Sequence, residues 1–125
     1  MTQASIENDI RAAGADVAPR VTPADVEANI ASEHYFTARD GCEGASGGGG
    51  TYPAALGLLT FCVLVLRNGF TVTGESACAS PENFNAEIGR KIARQNAVAK
   101  VWPLMGYELR STLSAAGALI ADPAE

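Results

Sequence analysis

The chain is poor in the residues that most active sites and metal centres use. Its 125 residues include one histidine, His34, and three cysteines, Cys42, Cys62 and Cys78. The cysteines lie far apart and form no C-x-x-C pair, so a zinc site would need all three together with His34. Serine–histidine catalysis would likewise depend on His34 alone as the base. The sequence therefore predicts no metal, no cofactor and no catalytic residue, and an enzyme is the least favoured function.

Positive charge is scarce as well. Nine Lys and Arg residues stand against 14 Asp and Glu residues, which gives a net charge of −5 at pH 7. Non-specific binding to duplex nucleic acid needs a dense basic surface, so this function is excluded. The basic residues are concentrated between positions 60 and 110, where they outnumber the acids. This local excess favours a small anionic ligand or an acidic protein partner.

Long apolar runs are missing too. The most membrane-like segment, Ala54 to Leu66, is too short to span a bilayer and leads directly into Arg67. The first nine residues lack the basic start and the apolar run of a signal peptide. An odd number of scattered cysteines is typical of reduced thiols. We therefore expect a cytoplasmic protein with no membrane association.

The clearest structural signal that the sequence does contain is a β-hairpin. Thr60 to Leu66 is apolar and β-branched, and Asn68-Gly69 favours a two-residue type I′ turn. Such a turn would pair Val65 with Val72, Val63 with Gly74 and Phe61 with Ser76. Phe61, Val63 and Val65 would then share a face with Val72, and Cys62 and Cys78 would point to opposite faces.

The two strands of the hairpin differ in pattern. The first strand is apolar on both faces, whereas the second alternates apolar and polar residues and suits a position with one face in water. The first strand is therefore predicted to be central and the second to lie at an edge. The segment from His34 to Ala38 is aromatic-rich and is the natural third strand.

Helix signals flank these strands. Thr22-Pro23 predicts a helix that starts at Pro23 and runs to about Glu33. Ser80-Pro81 predicts a second helix, with Phe84, Ile88 and Ile92 as its apolar stripe. Gly89, Ala93 and Ala97 form an adjacent stripe of small residues that would let another backbone approach closely. Trp102-Pro103 predicts a break, followed by a further helix from Leu104 to about Ala118.

These elements predict an α+β fold. In it, a small antiparallel sheet, made of the hairpin and a third short strand, packs against an N-terminal helix and two C-terminal helices. Residues 21–120 would form a single domain, between a flexible arm at 1–20 and an acidic tail at 121–125. The glycine-rich stretch within 39–51 predicts a loop without regular structure.

The turn from Ser76 to Asn83 is the predicted binding site. Free backbone N–H groups at the start of a helix attract anions, and nearby arginines would add positive charge. Aromatic residues at the helix break would stack on a base. The predicted ligand-binding residues are Ser76, Ser80, Asn83, Arg90, Arg94, Trp102 and Tyr107. The alternatives are an ordinary capped helix with a solvated basic face, and aromatic residues that only fill the joint between two helices.

The region from about Val21 to Leu113 also resembles a known family. Its segments NGFTV, GESAC, SPENF, IGRKIA and WPLMGY are similar to small tailed-phage and prophage proteins of the coliphage N4 and Shigella phage Sf6 type. The resemblance implies a phage accessory protein in the bacterial cytoplasm. It brings no catalytic residues with it.

Two functions follow as expectations. The first is a non-enzymatic homo-oligomer that binds a small anionic nucleotide ligand and so sequesters a host defence signal. The second is a protein-interaction module that inhibits a host factor through its edge strand or its glycine-rich loop.

Overall fold

The structure, a computed structural model, describes residues 3–15 and 17–117. Its helices are α1 (Gln3–Ala12), α2 (Pro23–Ala28), α3 (Ala38–Ala45) and α4 (Ala86–Ala115), and its strands are β1 (Ile30–Thr37), β2 (Leu59–Leu66) and β3 (Thr71–Ala77). Short 3₁₀ turns occupy Ala54–Leu58 and Pro81–Asn83. The predicted α+β class is confirmed. No helix in the described ranges is long and apolar enough to cross a membrane.

The chain divides into two compact units. One contains residues 1–27 with 102–125, and the other contains residues 28–101. In the first unit, Arg20 Nη2 lies 2.6 Å from Glu7 Oε1, an ion pair between α1 and the segment that follows it. The predicted acidic tail at 121–125 lies outside the described residues.

Helix α2 has the predicted start but not the predicted end. The Thr22 hydroxyl accepts the Asp25 N–H at 3.1 Å, and the Asp25 carboxylate accepts the Thr22 N–H at 2.9 Å. This reciprocal pair satisfies two backbone donors at the helix start. The expected end near Glu33 was wrong, since α2 stops at Ala28 and Ile30 already pairs with Leu66 in the sheet.

The second unit is built on an antiparallel sheet with the order β1-β2-β3. The central position of β2, the edge position of β3 and the third strand around His34 are all confirmed. Strand β1 begins earlier than predicted, at Ile30.

The predicted hairpin register was wrong by one residue. The observed pairs are Val65 with Thr71, Leu64 with Val72, Cys62 with Gly74 and Thr60 with Ser76. The loop contains three residues instead of two, since Gly69 N–H donates to the Leu66 carbonyl at 2.9 Å and only Gly69, not Asn68, has a positive φ. This is the geometry of a type I turn followed by a glycine bulge.

The register change moves the core to the other face of β2. Cys62, Leu64 and Leu66 are buried, together with Val72 of β3, whereas Phe61, Val63 and Val65 remain partly exposed. A shift of one residue has this effect because successive side chains point to opposite faces of a strand.

Helix α4 lies across the buried face and contacts it through small residues. Ala93, Ala97 and Val101 are fully buried, while Ile88 and Ile92 are 55% and 42% exposed. The predicted apolar stripe through Ile88 and Ile92 is therefore not the core-facing one. The stripe of small residues takes that role and allows the close backbone approach that was expected of it.

The start of α4 also differs from the prediction. Ser80 and Pro81 begin only a 3₁₀ turn, and the chain becomes extended at Phe84. The Ser80 hydroxyl bonds the Glu82 carboxylate and caps no N–H group. Asn85 caps the helix instead, since its Oδ1 accepts the Ile88 N–H at 3.0 Å.

Two C-terminal helices were predicted, and the described residues form one. Helix α4 continues through Pro103 to Ala115 over 30 residues. A proline inside a helix removes one N–H donor. In a helix of this length the remaining bonds outweigh that single loss.

The glycine-rich stretch contains a helix that the sequence reading did not predict. Helix α3 occupies Ala38–Ala45, and its N-terminus carries a reciprocal cap between Thr37 and Asp40. The prediction of a loop over 39–51 is therefore wrong for this part. The run Gly47–Gly50 follows the helix, and three of its four glycines have a positive φ.

Candidate functional site

Three hydroxyl side chains form a row across the sheet at the end where β2 begins. Thr60 of β2 pairs with Thr37 of β1 on one side and with Ser76 of β3 on the other. Directly paired residues in an antiparallel sheet point to the same face. All three hydroxyls therefore lie on the face that α4 covers. We call Thr37, Thr60 and Ser76 the hydroxyl row.

The first turns of α4 lie above this row. A Cβ atom placed on Gly89 would lie 3.1 Å from Thr60 Oγ1, so the helix passes close to the central hydroxyl because Gly89 has no side chain. Thr60 lines two clefts at this point of the structure.

The two clefts share Thr60 and Phe84 and differ in character. The first, the Arg90 cleft, has a volume of about 100 Å³ and is lined by Tyr35, Phe36, Thr37, Asp40, Thr60, Phe84, Ala86 and Arg90. The second, the Ser76 cleft, has a volume of about 140 Å³ and is lined by Leu58, Thr60, Ser76, Cys78, Asn83, Phe84, Asn85, Ile88, Gly89 and Ile92. The first contains both charged side chains, and the second is mostly apolar with neutral polar groups.

The Thr60 hydroxyl is nearly buried and has no protein partner. The residue is 3% exposed, and its hydroxyl makes no hydrogen bond with any residue in the described ranges. No fully enclosed side-chain oxygen or nitrogen in these ranges lacks a partner. The Thr60 hydroxyl must therefore retain its small exposure, and the accessible space next to it is that of the clefts.

Of the two charged side chains in the Arg90 cleft, one has a hydrogen-bond partner among the described residues and the other has none there. Arg90 makes no ion pair or hydrogen bond with the residues that the structure describes. Asp40 accepts the Thr37 N–H at 2.9 Å, and this backbone hydrogen bond, with that of the Thr37 side chain, lowers the pKa of Asp40. The cleft thus holds one available guanidinium and one ionised carboxylate.

Tyr35 lines the same cleft in its neutral form. Its hydroxyl donates to Glu33 Oε1 at 3.2 Å. Burial first, and then the nearby Cys62 and Glu33, raise the pKa of Tyr35 to about 12. The tyrosine is therefore a hydrogen-bonding group at neutral pH and carries no charge there.

The structure brings three of the seven predicted site residues to these clefts. Ser76 and Asn83 line the Ser76 cleft, and Arg90 lines the Arg90 cleft. Arg94 lies elsewhere on α4 and pairs with Glu33, with Nε 2.8 Å from Oε2. Ser80 bonds Glu82 and lines neither cleft.

The two predicted aromatic residues belong to the other compact unit. Trp102 is half-buried and Tyr107 is 77% exposed. Neither lines the Arg90 cleft or the Ser76 cleft. The helix start on which the predicted anion site depended is not at Ser80, because α4 starts after Asn85.

The sequence reading missed the centre of the site. Thr37, Thr60 and Phe84 line the clefts, and none of them was among the predicted ligand-binding residues. The signal was present in the hairpin, since a three-residue loop sets Thr60 opposite Ser76. Cys78 lines the same cleft as Thr60, so the expectation that it faces away from Cys62 was wrong as well.

The fold and the site together define a small α+β protein whose two clefts are lined by hydroxyls, amides, aromatic rings and one cation that is unpaired within the described ranges. The single histidine lies away from it, on β1 opposite Val63, with its ring nitrogen 3.0 Å from the Ser32 hydroxyl.

The chain belongs to the phage protein (N4 Gp49/phage Sf6 gene 66) family, whose model matches residues 21–113. This match confirms the resemblance found in the sequence. The description of the family names two phages and no activity. No curated protein and no solved structure matches the chain with statistical significance.

Proposed function

We propose that this phage protein is a non-enzymatic accessory protein that sequesters a nucleotide-type host defence signal in the bacterial cytoplasm. The observation that carries the proposal is the combination of the unpaired Arg90 with the hydroxyl row at the same pair of clefts. Guanidinium groups bind phosphates with strong, charge-assisted hydrogen bonds. Hydroxyl and amide groups bind the sugar and the base of a nucleotide.

The size of the clefts supports an oligomeric binder. Their volumes are about 100 and 140 Å³, whereas pockets that enclose a small-molecule ligand typically measure roughly 300–1,000 Å³. One protomer would therefore cover only part of a nucleotide signal. In our proposal a second protomer covers the rest, and native mass spectrometry of the purified protein tests this directly.

The binding function is tested by isothermal titration against cyclic dinucleotides and ADP-ribose derivatives. We expect micromolar or tighter binding by the native protein. Arg90→Gln should weaken it by about tenfold to a hundredfold, since a hydrogen bond from a charged group contributes roughly 1.5–3 kcal/mol.

Lys91→Gln is the matched control for this variant. Lys91 is the next residue on α4, pairs with Glu87 at 3.4 Å and lines neither cleft. The substitution Lys91→Gln also removes one positive charge from α4, but it should leave nucleotide binding unchanged. Absence of binding to the whole panel at micromolar concentrations would overturn the proposal.

The edge strand supports a second candidate function, the inhibition of a host protein by strand addition. Since Leu66 N–H donates to the Phe70 carbonyl, alternation along the ladder turns the backbone groups of Thr71 and Thr73 away from β2. No strand in the described ranges pairs with this side of β3. An extended segment of a partner can pair there.

A pull-down from host lysate discriminates between the two functions. Thr73→Pro removes one outward N–H and no ladder bond, so the sheet should tolerate it. Under strand addition, one stoichiometric partner should be captured by the native protein and lost with Thr73→Pro, whereas Arg90→Glu with Arg94→Glu should retain it. The nucleotide proposal predicts the opposite result in the titration, where Arg90→Glu with Arg94→Glu should lose nucleotide binding and Thr73→Pro should retain it.

A further inference from the structure

We infer that the Thr60 hydroxyl binds a sugar hydroxyl of the ligand, between a phosphate at Arg90 and a base in the Ser76 cleft. This inference rests on the proposed function and adds the orientation of the ligand and the residue that recognises its sugar. It makes Thr60 a specificity-determining residue.

The Thr60 hydroxyl itself lacks a partner in the part of the chain that the structure describes. A nearly buried hydroxyl without a hydrogen bond destabilises a protein relative to valine, which has the same shape. Thr60 is 3% exposed and has no hydrogen-bond partner in the described ranges. A ligand that enters the clefts can supply the missing partner.

Thr60 also lies where two unlike clefts meet. Arg90 lines only the first cleft, Asn83 and Ser76 line only the second, and Thr60 lines both. A nucleotide has the same order of groups, because its sugar connects a charged phosphate to a neutral base. Placing the phosphate at Arg90 therefore brings the sugar to Thr60.

The lining of the Ser76 cleft agrees with this orientation. Ile88 and Ile92 give the Ser76 cleft apolar walls, as a planar base requires. Asn83 supplies an amide that can bond the edge of the base.

The test compares adenosine 5′-monophosphate with its 2′-deoxy and 3′-deoxy analogues, titrated to millimolar concentration and followed by the amide resonances of Thr60, Ser76 and Gly89. We expect one of the two deoxy analogues to bind the native protein about tenfold more weakly, the effect of one hydrogen bond. In Thr60→Val the three compounds should bind equally. Thr60→Ser keeps the hydroxyl and should restore the difference.

Thr73→Val is the matched control. It makes the same chemical change as Thr60→Val, at a residue that lies on the exposed face of β3. It should discriminate among the three compounds as the native protein does. Equal discrimination by Thr60→Val and the native protein would overturn the inference.

The two proposals fail in different ways. If the signal panel binds and Thr60→Val discriminates like the native protein, the inference is wrong and the proposed function stands. If the panel does not bind but the monophosphates show the Thr60-dependent difference, the proposed function is wrong and the inference stands. No resonance change with any compound overturns both.

Discussion

The interface between α4 and the sheet has a closed end and an open end, and both are organised by a glycine. At the closed end, a Cβ atom on Gly74 would lie 2.2 Å from the Ala93 carbonyl oxygen and 2.3 Å from the Ala97 nitrogen. At the open end, a Cβ atom on Gly89 would meet only the Thr60 side chain, at 3.1 Å. The first end is packed backbone against backbone, and the second leaves two clefts.

The side chains of the sheet explain this difference. On the side of the closed end, the same face of β2 carries the buried apolar residues Cys62, Leu64 and Leu66. At the open end, Thr60 and Ser76 present hydroxyls on the same face. One helix and one sheet thus form a tightly packed core and an open pair of clefts along a single contact. In our proposal the ligand binds at the open end.

The largest expected effect is that of Gly74→Ala at the closed end. The new methyl group would overlap the backbone of α4, so the helix would have to move away from the sheet and lose the tight packing of Ala93 and Ala97. We expect a loss of more than about 3 kcal/mol in the free energy of unfolding, measured by urea denaturation.

The control for this change is Gly106→Ala. Gly106 lies in α4 with no atom within 4 Å of the added Cβ position. Alanine should stabilise the helix there by roughly 0.5–1 kcal/mol. Equal unfolding free energies for the two variants would contradict the close approach at Gly74.

The next largest effect on stability is expected from Leu64→Ala, and it contrasts with that of Thr60→Val. Leu64→Ala leaves a cavity at a fully buried position and should cost about 2–5 kcal/mol. Thr60→Val removes a hydroxyl that has no partner and keeps the volume, so stability should be unchanged or slightly higher. Thermal unfolding of both variants checks this. A large loss for Thr60→Val would show that its hydroxyl supports the fold.

A smaller effect on stability is expected from Gly89→Ala at the open end. Alanine favours the helix by up to about 1 kcal/mol, and crowding of the Thr60 hydroxyl at 3.1 Å offsets this gain. The unfolding free energy should therefore change by less than about 1 kcal/mol. Nucleotide binding should fall, because the new methyl group narrows the junction of the clefts. Unchanged binding would place the ligand elsewhere.

The smallest effect concerns Tyr35, which lines the open end and pairs with Cys62 of the core. Burial is the main cause that raises its pKa from the ordinary 10.0 to about 12. The neutral form is thus favoured in the folded state. Its contribution to stability is complete below pH 10 and is lost as the pH rises from 10 to about 12.

Absorbance at 295 nm follows this ionisation. We expect a late-titrating phase that is missing in Tyr35→Phe and present in Tyr107→Phe. A native protein without that phase would show that Tyr35 is solvated.

The sequence predicted the elements of the sheet better than their register. Asn68-Gly69 identifies a hairpin, but it fits both a two-residue and a three-residue loop. Strand β2 is apolar on both faces, so its pattern cannot distinguish the two registers. The packing of α4 selects the observed register, because the small residues of α4 can approach Gly74 only when that glycine lies on the same face as Leu64.

The same long-range dependence explains the errors at the site. Ser80 and Asn85 are both good helix caps, and local propensity does not choose between them. The hydroxyl row joins three strands, so it appears only after the register is known. Arg90, Ser76 and Asn83 could be selected from local chemistry, whereas Thr60 could not.

One hydrogen bond from α4 shortens the part of the β3 edge that is free to pair with another strand. The Asn96 side chain donates a hydrogen bond of 2.8 Å to the Glu75 carbonyl, on the outer side of β3. The free part of this edge is thereby reduced to a short stretch around Thr71 and Thr73. An extended peptide can form a few backbone hydrogen bonds there. Pairing along the whole strand is blocked, because the Glu75 carbonyl already accepts the hydrogen bond from Asn96. Asn96 thus limits the length over which another sheet can pair with the edge of β3.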